Sequence, residues 1–110
     1  MAQTLDFNKI KRNYFKVTLN DENKTELQIM TPTKQMLEAV IEVLPKFDSA
    51  APDADDLASL YEMAALLMSR NRKGIHITAD TLTDILDIED LAVFFSAYVS
   101  FVNEISQSKN

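Results

Sequence analysis

The stretch from Ile85 to Ile105 constrains the fold more than any other part of this chain. Asp87, Glu89 and Asp90 crowd its start, where acidic side chains cap a helix and oppose the positive end of its dipole. From there Ile88, Leu91, Ala92, Phe95, Val99 and Val102 recur at helical spacing and mark one apolar stripe. Phe94, Tyr98, Phe101 and Ile105 recur at the same spacing and mark a second stripe beside it. A small domain can bury one stripe of such a helix. Two stripes leave two readings: a helix at the centre of the fold, or a helix whose aromatic side waits for another protein.

Upstream the period differs. Residues 1–12 read as a loose arm. Phe15, Val17 and Leu19 then alternate with Lys16 and Thr18, the pattern of a half-buried strand. Residues 20–24 form a polar turn, and Leu27 and Ile29 alternate again, so residues 13–30 are expected to form a β-hairpin. A lone hairpin is marginal in water, and its apolar face must cover something. Thr31-Pro32-Thr33 opens a helix, with a hydroxyl cap and the proline in its first turn. Met36, Leu37, Val40, Ile41 and Leu44 follow at helical spacing, until Pro45 stops it. Residues 45–56 read as a long surface loop, and Asp53 or Asp55 caps the next helix, whose face carries Leu57, Leu60, Tyr61, Ala64, Leu67 and Met68. Arg70, Arg72 and Lys73 would complement that helix's dipole and Gly74 its C-cap. Ile75–Ile77 is a short extended link, Thr78 caps a brief helix with Leu82, Ile85 and Leu86, and Asp87 caps the last helix. The expectation is one α+β domain over residues 1–110, an N-terminal β-hairpin packed on a mainly helical body of three to four helices spanning residues 31–106.

Composition narrows the function. No cysteine is present, so disulfides and thiolate metal sites are excluded, which fits a reducing cytoplasm. A single glycine argues against phosphate-cradling loops. The start lacks the apolar core of a signal peptide, and no apolar run reaches the length of a membrane span. The net charge is −6, unevenly spread: Lys9, Lys11, Arg12 and Lys16 face only Asp6 in the first sixteen residues, and the remainder is acidic. Nucleic acid and membrane are therefore not expected as partners. The basic start reads as a solvated arm, or as an attraction to the acidic body of a neighbouring copy.

No constellation of chemistry assembles. His76, the only histidine, stands between two isoleucines with no ligand partner nearby. Asp53, Asp55 and Asp56 lack the glycine of a calcium loop, and Leu57 occupies a ligand position. Asp80, Asp84, Asp87, Glu89 and Asp90 read as caps and a solvated face, or as a docking site for basic residues. Ser59, Ser69, Ser96 and Ser100 have no adjacent base, and the last helix carries phenylalanines and acids where a DNA-reading helix needs base readers. The expectation is a non-enzymatic protein with no metal and no cofactor.

The hairpin, the Thr31-Pro-Thr33 helix start, the Arg70–Gly74 run and above all the segment Ile88-Glu-Asp-Leu91 through Tyr98-x-x-Phe101-x-x-Glu104-Ile105 resemble the tail assembly chaperones of long-tailed bacteriophages and prophages of Gram-positive bacteria. The resemblance implies a protein that coats the tape measure protein before the tail tube protein polymerises around it, acts in the host cytoplasm and is absent from the mature virion. It also implies a longer frameshifted form, with which the Ser108-Lys109-Asn110 ending is compatible. The contact stripe expected for such a partner is Phe94, Tyr98, Phe101 and Ile105, with Leu91 and Phe95 facing the core. On that reading Phe101→Asp weakens partner binding and leaves the fold intact. Self-association of copies would help line them up along one long partner. The alternative is a small prophage-encoded adaptor or regulatory module that binds one compact target.

Overall fold

The structure is a computed structural model that describes residues 4–48 and 52–107, with side chains placed for residues 4–47 and 52–105. It is α+β: a two-stranded antiparallel hairpin, β1 (Phe15–Thr18) and β2 (Glu26–Ile29), followed by four α-helices. These are α1 (Lys34–Val43), α2 (Ala54–Ser69), α3 (Ala79–Ile85) and α4 (Ile88–Gln107). A 3-10 turn, Leu44–Asp48, follows α1.

The hairpin register pairs Phe15 with Ile29 and Val17 with Leu27. Because strand side chains alternate between faces, this puts all four apolar residues on the side that meets the helices. The turn is closed by Asp21, whose carboxylate accepts from the Thr25 amide at 2.8 Å and the Thr25 hydroxyl at 2.6 Å. The free edge of β2 is covered by the segment after α2: Ile29 bridges Asn71, Met30 N–H donates to the Arg70 carbonyl, and Arg72 N–H to that of Gln28. β1 has a strand neighbour on one side only.

Side-chain caps start the helices. The Thr33 hydroxyl accepts from Met36 N–H, and Thr78 from Thr81 N–H. Asp53 and Asp56 form a reciprocal capping box, so Asp53 is the cap of α2. Asp87 and Asp90 form a second box: Asp87 Oδ1 accepts from Asp90 N–H at 2.9 Å and Asp90 Oδ2 from Asp87 N–H at 3.0 Å. Leu60, Ala64, Leu67 and Met68 of α2, Val40 of α1, Leu82 of α3 and Leu91, Phe94, Phe95 and Tyr98 of α4 form one core with Leu19, Leu27 and Ile29.

Three local expectations are corrected. Thr33 caps α1, so Pro32 lies ahead of the cap and not in the first turn. Residues 45–56 are not all loop. Pro45 ends α1, but the chain tightens into the 3-10 turn and sets the Phe47 ring edge-on against Phe95, 5.5 Å between centroids. Part of that segment, residues 49–51, lies outside the described residues, as does the Ser108–Asn110 ending. The cations after α2 do not serve its dipole either. The helix ends at Ser69, and Arg70 Nε donates to the Thr31 carbonyl at 2.8 Å, tying α2 to the entry of α1. The Arg72 guanidinium lies over the Tyr14 ring, 5.6 Å from its centroid. Gly74, at φ +71°, closes a separate turn by donating its N–H to the Asn71 carbonyl. The buried Asn71 side chain holds that turn, donating to the Met68 and Ile75 carbonyls and accepting from Ile75 N–H.

Candidate protein-binding surfaces

The box at Asp87 and Asp90 fixes where α4 begins, and therefore which of its sides meets the core. That side is the seam between the two sequence stripes. Leu91, Phe94, Phe95 and Tyr98 are buried, while Ile88 and Ala92 of the first stripe turn to solvent. Leu91 and Phe95 thus face the core, as expected. Phe94 and Tyr98 were expected in the exposed contact stripe, and this is corrected: they retain 7% and 1% of their exposure. The cause lies seventy-nine positions upstream of Phe94. Phe15 of β1 lays its ring across the stripe, with centroids 6.2 Å from Phe94, 6.2 Å from Tyr98 and 5.5 Å from Phe101. Phe101 and Ile105 are half-buried. Phe101→Asp would therefore break a ring contact of the hairpin, and it no longer separates binding from folding.

Tyr98 carries the one buried side-chain polar atom without a hydrogen-bond partner among the described residues. Burial pushes its phenol up to about 12, against the opposing pull of Arg70. Tyr61 is raised as well, first by burial and then by Asp87 and Asp90, and its hydroxyl donates to the Leu86 carbonyl at 2.6 Å. Asp56 is held below the usual carboxylate range chiefly by its hydrogen bond from Lys46, 3.0 Å away, and Asp21 chiefly by the Thr25 hydroxyl. These carboxylates hold caps and turns. His76 is exposed, and among the described residues no three histidines or acids converge on a point that would hold a metal. Nor is any helix there long and apolar enough to cross a membrane.

Apart from Ile41 of α1 and Ile88 of α4, exposed at 61% and 43%, the apolar surface left open among the described residues lies in three places. The first is a groove of about 320 Å³ between β1 and the start of α4. Val17, Leu19, Leu86, Val93 and Phe94 line it and Asp90 stands at its rim, with Val93 exposed at 69%. The second is a shelf along α2 formed by Ala65, Leu66, Ile77 and Ala79, where Leu66 is 52% exposed. The third is the arm, where Leu5, Phe7 and Ile10 stand in solvent.

Helical periodicity passes over Val93 and Leu66 because each falls off its helix's main stripe. That is the signal that marks them. An apolar residue off the buried face of an amphipathic helix is an exposed one. No protein-family model, curated protein or solved structure matches the chain.

Proposed function

We propose that this chain is a tail assembly chaperone of a long-tailed bacteriophage or prophage. It binds the tape measure protein in many copies and assists assembly of the tail tube protein around it. The reading is carried by the segment Ile88–Ile105, which resembles that family and is the capped helix on which the hairpin packs. The apolar side chains exposed on α2 and α4 support it, since a coat for a long apolar helix needs such surface and no reaction chemistry. The client contact is then the Leu66 shelf, in place of Phe94, Tyr98, Phe101 and Ile105. The protein works in the host cytoplasm and leaves before the virion matures.

Co-expression with the tape measure protein of the same locus tests this. The expected result is a soluble complex holding several copies of the chain per tape measure protein. Leu66→Asp is expected to lose that complex while the far-ultraviolet circular dichroism and the melting curve stay as they are. A tape measure protein that remains insoluble beside the folded chain would overturn the reading. Recovery of one compact target at one-to-one stoichiometry would replace it with the adaptor.

A further inference from the structure

We infer that the groove between β1 and α4 takes the N-terminal arm, residues 4–12, of a second copy of this chain. Such a contact involves this chain alone and holds whether or not the protein is a tail chaperone.

The arm is apolar on one count and basic on another. Leu5 and Phe7 are exposed at 70% and 65%, and Ile10 at 38%. Among the described residues, every hydrogen bond of the arm stays within it. Asn8 donates its amide and its Nδ2 to Asp6 Oδ1, Lys9 N–H donates to the Asp6 carbonyl, and Arg12 Nη2 donates to the Phe7 carbonyl at 2.7 Å. The arm is thus a small pre-shaped loop that exposes large side chains and joins the body at Tyr14 and the start of β1. Its charge comes from Lys9, Lys11 and Arg12 against Asp6.

The groove complements it on both counts. Its walls are mostly apolar, with Thr18 and Asn20 among them, and continue outward to the exposed Val93. Among the described residues its one charged lining residue is Asp90; Glu89 stands in the same acidic first turn of α4, which Asp87 caps. Among the described residues no lysine or arginine lines it. Burying Phe7 and Leu5 there removes apolar area from water on both partners, while the arm's cations meet the acidic cap.

A second copy fits better than the chain's own arm. The arm leaves the body at Asn13 and Tyr14, which share a surface depression with Phe101, Glu104 and Ile105 near the far end of α4. Asp90 lies eleven residues from Phe101 on that helix, or about 16 Å along its axis. Lys11 and Arg12 are tied close to Tyr14, so an arm folded back on its own body keeps those two cations away from the acidic rim. An arm arriving from another copy has no such tether. The contact joins two different patches, so one copy offers its arm while its own groove stays available.

Sedimentation velocity on the full chain tests this with two variants, Phe7→Asp in the arm and Val93→Asp in the groove. Both side chains are exposed, and circular dichroism with thermal melting verifies that each variant folds. If Val93→Asp does not fold, Ala97→Arg takes its place in the groove. The wild-type mass is expected to rise with protein concentration, and to rise less at high salt. Each variant alone is expected to associate at least about tenfold more weakly. An equimolar mixture is expected to regain a one-to-one pair, because Phe7→Asp keeps an intact groove and Val93→Asp an intact arm. A wild type that stays monomeric at every concentration would overturn the inference. So would folded variants that assemble like wild type, or a mixture that forms no pair.

Discussion

Residues 4–12 and helix α4 are both supplied with large apolar side chains, yet the arm leaves Leu5 and Phe7 in water while α4 buries Phe94, Phe95 and Tyr98. Apolar character does not separate them. Spacing and cover do. On α4 the side chains recur at helical spacing on a rigid helix, so they share one side, where Phe15 of β1 meets Phe94 and Tyr98 and Phe47 meets Phe95. In the arm, Leu5, Phe7 and Ile10 follow no helical or strand period across a turn set by Asp6. Among the described residues, none of the three joins the hydrophobic core. Burial is thus decided by what arrives from elsewhere: Phe15 for the helix and, on the inference above, a second copy for the arm.

Truncation at both places puts the most strain on this contrast. Phe95→Ala removes a ring that packs on Phe47 and Phe94, and it is expected to destabilise the fold by about 3–5 kcal/mol. Phe7→Ala is expected to change stability by less than about 0.5 kcal/mol. Urea titration of the two variants measures both. Equal losses would mean that the arm packs on the body in solution.

A second prediction concerns the buried side alone. Burial raises the Tyr98 phenol in the folded chain to about 12, above its ordinary value of 10.0. Between those two values the unfolded state has lost a proton that the folded state retains. Stability is therefore full below pH 10 and falls as the pH rises, by about 1.4 kcal/mol per pH unit. Tyr98→Phe is expected to remove most of that slope, with a small part remaining from Tyr61. It also deletes a hydroxyl that makes no hydrogen bond, so at neutral pH it is expected to cost nothing or to stabilise slightly. Melting curves taken across the alkaline range decide this.

The smallest effect concerns the start of α4. Asp87→Ala removes one half of the capping box and is expected to cost about 1 kcal/mol. The arm of a second copy should also bind more weakly, because the acidic rim loses a charge. Chemical denaturation reads the first effect and sedimentation the second. A variant with unchanged stability would show that Asp90 and the core alone hold the helix end.

Much of the fold was legible because it is local. The alternation at Phe15–Leu19 and Leu27–Ile29, the caps at Asp53, Thr78 and Asp87 and the stop at Pro45 depend on neighbours within a few residues, whereas the start of α1 was read too early, with Pro32 inside its first turn instead of ahead of the Thr33 cap. Less was legible after α2. Nothing near Arg70 in the sequence signals that its guanidinium ties down the Thr31 carbonyl, thirty-nine residues earlier. Asn71 reads as a turn residue, although its side chain is the buried post around which Met68 and Ile75 are fixed. Phe47 sits in a stretch whose prolines and aspartates look like surface loop, and its ring reached the core only because Phe95 was there to meet it.

The candidate site divides the same way. Residue order alone dictated that α4 would be a helix, where it would start, and that its two stripes held more apolar area than one small face needs. Which part of that area stays open was left to the tertiary structure. Hydrogen-bonded caps and helical period act over a few residues, whereas burial depends on which surface comes to lie opposite. Here a phenylalanine of the first strand covers Phe94 and Tyr98 and leaves Val93 at the edge of a groove.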